Sequence, residues 1–234
     1  MKKLVVSLFM GIVALAAIQN SNADVIADWT FQTSASTNNI IGAGLTPGST
    51  QSGILADIGT GTASAFHATA GTAWSIPAGN GSTNSWSANN WSVNDYFQFQ
   101  VSTLTYSGIQ ISFDQTGSSS GPSQFTLQYS TDGSTFLTFG SPYTVLVSTW
   151  TPATYNSSFT HTFDLSSVTA LDNASSVYFR LVDNSTTSIG GSTVGTGGTD
   201  RVDNFLVATV PEPSTLALAA FGGVAALLAF RRRH

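Results

Sequence analysis

The feature that most constrains this chain is a repeated alternation of apolar and polar residues, separated by short clusters of Gly, Ser, Asn and Asp. In Tyr96 to Val101, for example, every second residue from Phe97 onward is apolar and the residues between are glutamines. Because side chains alternate between the two faces of a strand, this period of two predicts half-buried β-strands. The absence of a useful amphipathic helical pattern between Asp24 and Val210 excludes parallel βαβ architecture.

The same alternation predicts about nine or ten strands, enough for two packed sheets in an all-β antiparallel β-sandwich. An Asp132-Gly133 turn signal predicts that the segment after Tyr129 folds back as a hairpin. The predicted strands are Val25 to Gln32, Ile54 to Ile58, Ala63 to His67, Tyr96 to Val101, Ile109 to Phe113, Phe125 to Tyr129, Thr135 to Phe139, Phe159 to Leu165, Val177 to Asp183 and Asn204 to Thr209.

Two polar segments, Ser75 to Asn94 and Asn184 to Asp200, are predicted to be exposed loops. The first contains Trp86 and Trp91 in otherwise polar surroundings. Because aromatic faces stack on sugar rings, Trp86 and Trp91 are candidate carbohydrate-binding residues. The alternative is that both rings cover the end of the sandwich.

The charge of the chain excludes a nucleic-acid partner. Between Asp24 and Val210 the only basic side chains are Arg180 and Arg201, and the net charge of the whole chain is −5. Binding a phosphate backbone requires several cations on one face, and the same charge balance disfavours an acidic polysaccharide. The chain has no Cys, so neither disulfides nor thiolate metal sites contribute to its stability or chemistry.

Residues that carry catalytic chemistry are scarce, and we predict that the protein is not an enzyme. His67 and His161 are the histidines of the central region, and each falls in or beside a strand pattern. Glu is absent outside Glu212, which removes the commonest partner of a glycosidase pair. No catalytic residue is predicted, and a secreted hydrolase is the least favoured class of function.

The N-terminus has the pattern of a secretory signal peptide, predicted as residues 1–23. Lys2 and Lys3 precede a short apolar run, and small Ser21 and Ala23 occupy the positions that signal peptidase needs before a cut after Ala23. An uncleaved membrane anchor is the alternative. The β-sandwich domain is then predicted as residues 24–209.

The last residues, 210–234, resemble the PEP-CTERM sorting signal. A Pro211-Glu212-Pro213 box precedes the apolar segment Leu216 to Phe230 and a cluster of three arginines. The resemblance implies that Pro211, Glu212 and Pro213 are the residues recognised by the membrane protease-transpeptidase exosortase. It also implies export across the inner membrane of a Gram-negative bacterium that makes exopolysaccharide, to the cell envelope or the extracellular matrix.

The apolar segment Leu216 to Phe230 is short for a permanent anchor. As a helix it would extend roughly 22 Å, against a bilayer core of about 30 Å. The arginines that follow would stay cytoplasmic by the positive-inside rule. The sequence therefore favours a transient membrane stay before processing, and a lasting transmembrane helix is the alternative.

The stretch Asp200 to Asn204 resembles the start of the last strand in jelly-roll domains of the carbohydrate-binding-module type. In many of these a structural calcium joins the first and last strands, so the resemblance implies a calcium site at Asp28, Asp203 and Asn204 and no other cofactor. Carboxylate and amide oxygens are suitable calcium ligands. The alternative is that Asp203 and Asn204 cap a turn while Arg201 pairs with a neighbouring Asp.

Taken together, these features favour a structural or interaction protein associated with exopolysaccharide or biofilm. A lectin-like glycan-binding module is the second hypothesis and overlaps with the first. Exosortase and signal peptidase are the partners expected during export.

Overall fold

The computed structural model describes residues 23–33, 49–69 and 71–211, and within these ranges it contains fourteen β-strands. The strands are β1 Val25–Trp29, β2 Ser49–Leu55, β3 Ile58–Gly59, β4 Gly61–His67, β5 Trp74–Ser75, β6 Trp86–Asn89, β7 Tyr96–Val101, β8 Ile109–Gly117, β9 Gln124–Ser130, β10 Leu137–Thr144, β11 Leu146–Val147, β12 Thr160–Asp164, β13 Val177–Asp183 and β14 Thr199–Thr209. Two short 3₁₀ turns, Ser157–Phe159 and Thr169–Leu171, are the helical elements of this part of the chain. The predicted signal peptide lies outside the described residues except for Ala23.

These strands form two sheets. Sheet I has the order β11-β8-β14-β1-β3, with β12 added to β8 and β5-β6 added to β14. Sheet II has the order β10-β9-β13-β7-β4-β2. All pairings are antiparallel apart from the two-residue contact of β11 with β8, which confirms the predicted all-β antiparallel sandwich.

The core lies between the sheets, where the apolar positions of the alternating strands meet. Phe99 of β7 and Phe205 of β14 stack with ring centroids 3.5 Å apart, and Trp29 of β1 contacts both rings edge-on. All three side chains are fully buried. The period-two pattern of the sequence therefore determines which face of each strand enters the core.

Strand bounds agree closely with the sequence for β7 and β13, and the hairpin after Tyr129 is confirmed as β9-β10. Gly133 has a φ of 72°, which explains why the turn needs glycine. The last strand is longer than predicted, because it begins at Thr199. It carries a bulge at Asn204, where φ is 50°.

Candidate functional site

The outer face of sheet II presents polar and aromatic side chains to solvent. Along β4, β7 and β13, partly exposed residues alternate with residues that are buried in the core, and Gln128 of β9 is partly exposed as well. We define this outer face by eight residues: Ser64, Phe66, Tyr96, Gln98, Gln100, Gln128, Tyr178 and Arg180.

One row of this face crosses five strands. Ser64 pairs with Gln98, Gln98 with Arg180, Arg180 with Gln128, and Gln128 with Thr138. Since neighbouring strands lie about 4.8 Å apart, the row is about 19 Å long. It is a continuous line of hydroxyl, amide and guanidinium groups.

Side-chain hydrogen bonds connect three members of this row, Ser64, Gln98 and Arg180. Gln98 Nε2 donates to Ser64 Oγ at 3.2 Å, and Arg180 Nε donates to Gln98 Oε1 at 2.8 Å. On the next row Gln100 Nε2 donates to Ser176 Oγ at 2.9 Å. These bonds hold the amides in fixed orientations.

Aromatic rings enclose the guanidinium of Arg180. Its central carbon lies 3.9 Å from the ring centre of Tyr96 and 3.4 Å from that of Phe136, which belongs to the β9-β10 connection. Phe66 stacks on Tyr96 with ring centroids 5.7 Å apart, and Tyr178 contacts Phe136 edge-on. Burial lowers the pKa of Arg180, but an arginine remains charged at any physiological pH.

A cavity of about 450 Å³ lies at one end of the outer face. Gln100 and Thr62 line it together with Leu55 of β2 and Ser176 before β13. Its wall therefore combines amide, hydroxyl and aliphatic groups without a charged side chain. The outer face and this cavity together offer hydrogen-bond donors and acceptors to a polar ligand.

Trp86 and Trp91 are not exposed, so the prediction of an exposed stacking site at these residues is wrong. They retain 3% and 5% of their surface and belong to the core. Trp86 lies on β6, which pairs with β14, and Trp91 Nε1 donates to Ala88 O at 2.9 Å. The segment folds inward because its short strands supply backbone pairing, which lets its large rings cover the end of the sandwich.

The residues of the predicted calcium site are only partly brought together. Asp28 and Asn204 line one cavity of about 270 Å³, and the third carboxylate or amide there is Asp114 of β8 rather than Asp203. Asn204 Nδ2 donates to Asp114 Oδ2 at 2.8 Å, and Thr160 Oγ1 donates to Asp114 Oδ1 at 2.5 Å. Asp28 Oδ1 is buried without a hydrogen-bond partner, and burial followed by repulsion from Asp57 raises the pKa of Asp28 to about 6.

Asp203 has a different role. Its Oδ2 accepts hydrogen bonds from Asn80 N at 2.9 Å and Ser82 Oγ at 2.7 Å, and its Oδ1 accepts one from Asn204 N at 2.9 Å. Asp203 therefore fixes the loop before β6. Across residues 23–33, 49–69 and 71–211 no group of three or more His, Cys, Asp or Glu residues is arranged to hold a metal. Calcium at this cavity stays a prediction.

The two histidines pack among aromatic rings. His67 is fully buried with Nδ1 3.2 Å from Thr72 Oγ1 and 3.5 Å from Asp95 Oδ2, and burial lowers its pKa to about 4. His161 stacks against Tyr143 and Phe113, and burial lowers its pKa as well. Both Thr72 and Asp95 contact Nδ1 of His67, and Nε2 of this ring is buried without a hydrogen-bond partner.

A set of buried carboxylates was not anticipated from the sequence. Asp183 and Asp200 are fully buried, and each has one oxygen without a partner. Burial raises the pKa of Asp183 to about 7 and that of Asp200 well above its usual value. Gln115 Nε2 donates to Asp200 Oδ1 at 2.8 Å, and Tyr143 donates to Gln115 in turn. The period of two does place Asp183 on the inward face of β13 with Phe179 and Leu181, so alternation was the signal that could have identified it.

The outer face was also missed, although the sequence contains a signal for it. Gln98, Gln100 and Arg180 occupy the polar positions of two strands that were predicted correctly. What the sequence does not reveal is that β13 pairs with both β7 and β9. Only that pairing places Arg180 between Gln98 and Gln128.

The sorting box begins directly after the sandwich. Val210 N donates to Gly108 O at 2.7 Å, and Pro211 is exposed. Glu212, Pro213 and the apolar segment Leu216 to Phe230 lie outside the described residues. Among the residues that are described, no helix is long and apolar enough to cross a membrane.

Residues 209–233 match the family described as the PEP-CTERM protein-sorting motif. The predicted sorting tail is thereby confirmed. The chain therefore carries a sorting signal that indicates export. No curated protein matches the chain.

Several solved structures resemble the chain at low identity. One is the N-terminal tandem of CBM22 domains from Paenibacillus barcinonensis Xyn10C, at 12% identity and a TM-score of 0.44 over 85% of this chain and 49% of the other. This chain thus spans about half the length of that structure. Another is the family 11 carbohydrate-binding module from Clostridium thermocellum in complex with a β-1,3-1,4-mixed-linked tetrasaccharide, at 15% identity and a TM-score of 0.36 over 80% and 97%. A third is the K3 adhesin domain of Lys-gingipain from Porphyromonas gingivalis, at 14% identity and a TM-score of 0.37 over 58% and 79%.

Proposed function

We propose that this chain is a non-enzymatic protein of the cell envelope or extracellular matrix that holds exopolysaccharide through the outer face of sheet II. The sorting motif at residues 209–233 supports delivery to the cell surface. The observation that carries the binding function is the row of hydrogen-bonded side chains centred on Gln98 and Arg180. Amides and hydroxyls of fixed orientation are suited to the hydroxyl groups of a sugar chain.

This proposal combines the structural role with the glycan-binding role, because the protein would be held in the matrix by the polysaccharide that it binds. Partly exposed rings such as Tyr96 and Tyr178 flank the row, and they add apolar surface for the carbon-hydrogen faces of sugars. The packing of His67 and His161 among aromatic rings supports a binding protein over a hydrolase.

Affinity gel electrophoresis with exopolysaccharide purified from the producing strain tests this proposal. We expect the exported protein to be retarded. The Gln98→Ala variant should bind about three- to tenfold more weakly, because the row loses one amide and the two hydrogen bonds that hold Ser64 and Arg180 in position. Gln110→Ala is the matched control, since Gln110 points outward from β8 in sheet I. Free migration of the wild-type protein through the polysaccharide would exclude the proposed function.

A further inference from the structure

The guanidinium of Arg180 lacks a carboxylate partner. Its Nε is bound by Gln98, and its two Nη atoms have no hydrogen-bond partner among the described residues. The side chains directly across from it on β7 and β9 are the neutral amides of Gln98 and Gln128. In the described part of the chain the one ion pair is His67 with Asp95, in the core.

The acidic residues of the β9-β10 turn and of β13 form no ion pair with Arg180. Asp132, in that turn, accepts hydrogen bonds from Ser130 Oγ, Ser134 N and Thr135 N. Asp183 of β13 points into the core. The aromatic rings beside Arg180 stabilise the cation, but no carboxylate among the described residues neutralises its charge.

The rings around Arg180 determine how it can bind. Tyr96 and Phe136 lie within 4 Å of the guanidinium carbon, and Gln98 accepts a hydrogen bond from its Nε. The hydrogen-bond donors of a guanidinium lie in its plane, and two parallel N–H groups match the two oxygens of a carboxylate. These contacts restrain the position of the group and leave its Nη donors available to a carboxylate.

We propose that Arg180 makes the outer face selective for polysaccharide chains that carry carboxylate groups, as uronic acids do. This inference rests on the proposed function, and it specifies the class of polysaccharide that the outer face binds. The net charge of the chain disfavours an acidic polymer on average, but exposed charges beyond about 8–10 Å are screened at physiological ionic strength. At the short distance of a bound sugar, the one cation at the centre of the otherwise neutral row favours a carboxylate group.

The experiment compares two forms of the same exopolysaccharide. One is native, and in the other the carboxyl groups have been reduced to alcohols with carbodiimide and borohydride. Gln128→Glu places a carboxylate directly across from Arg180 and leaves the guanidinium in position, whereas Arg180→Gln removes the charge. Gln124→Glu is the matched control, because the same change lies four residues along the same strand, about 13 Å away.

We expect the wild-type protein to bind native polysaccharide at least about tenfold more tightly than the reduced form. Gln128→Glu and Arg180→Gln should reduce the ratio of the two affinities to about one, and Gln124→Glu should retain the wild-type ratio. Equal affinity of the wild-type protein for both forms would overturn the selectivity and leave the proposed function intact. An equal loss of this selectivity in Gln128→Glu and Gln124→Glu would overturn the role of Arg180 as well. Failure of the wild-type protein to bind either form of the polysaccharide would exclude the proposed function itself.

Discussion

Val25 on the first strand lies directly opposite Ala208 on the last. The sandwich therefore begins and ends on neighbouring antiparallel strands. The predicted signal peptide cut after Ala23 precedes β1, and the Pro-Glu-Pro box follows β14 by one residue. Processing at both ends leaves every strand of the domain intact.

We expect the exported protein to lack both targeting segments. Mass spectrometry of the protein from a host with active exosortase should show an N-terminus at Asp24 and no C-terminal Arg233-His234. An intact Met1, or a chain that still ends in His234, would contradict the prediction for that end. A host strain without exosortase is the control, because only the C-terminal processing should fail there.

Replacing Trp91 by Ala should destabilise the domain by about 3–5 kcal/mol. Trp91 packs against Phe97 and Phe125 with ring centroids 5.0 and 5.3 Å away and against His67 at 4.2 Å. Denaturant unfolding measures the loss. Trp91→Phe should cost less, because it keeps an aromatic ring in the same space, and a Trp91→Ala variant as stable as the wild type would show that the ring is not part of the core.

The stability of the domain should fall as the pH rises from 5 to 8. Burial raises the pKa of Asp183 to about 7, whereas an aspartate in the unfolded chain titrates near 3.8. The stabilisation linked to this proton is complete below pH 3.8 and is lost as the pH approaches 7. His67 works in the opposite direction, because its pKa is lowered to about 4 and its contribution is lost as the pH falls below 6.5.

The Asp183→Asn variant tests this pH dependence. Asn keeps the acceptor for Ser185 N and has no proton to lose, so stability at pH 8 should exceed that of the wild type by roughly 2 to 4 kcal/mol. Its stability should also vary less between pH 5 and 8. Asp132→Asn is the control: hydrogen bonds from Thr135 N and Ser134 N lower the pKa of exposed Asp132, so this variant should lose stability equally across the range. A wild-type protein that is more stable at pH 8 than at pH 5 would contradict a raised pKa of buried Asp183.

Calcium should raise the melting temperature only through the cavity of Asp28, Asp114 and Asn204. We expect Asp28→Asn to remove any difference between melts in calcium and in chelator, because binding to the native state alone is what stabilises. Asp203→Ala should lower the melting temperature equally in both conditions, since its three hydrogen bonds are lost with or without the ion. Identical wild-type melting temperatures in calcium and in chelator would exclude a calcium ion that stabilises the domain.

The sequence alone was enough to predict the fold class, strands such as β7 and β13, and the sorting tail. Alternating residues in Tyr96–Val101 and Val177–Asp183 predict strands because the side-chain period of a strand is fixed by its backbone geometry. The Pro211-Glu212-Pro213 box is recognisable because sorting signals are read as linear sequence. Neither prediction depends on which parts of the chain are in contact in the folded protein.

Which side chains are exposed, and which lie together, depends on contacts between strands that are distant in sequence. Trp86 is buried because β6 pairs with β14, and this pairing joins residues more than a hundred positions apart in sequence. Arg180 lies beside Gln98 and Gln128 for the same reason. The register of non-local strands depends on how the whole core packs, so a composition that looks polar in one segment does not reveal whether its large rings point inward or outward.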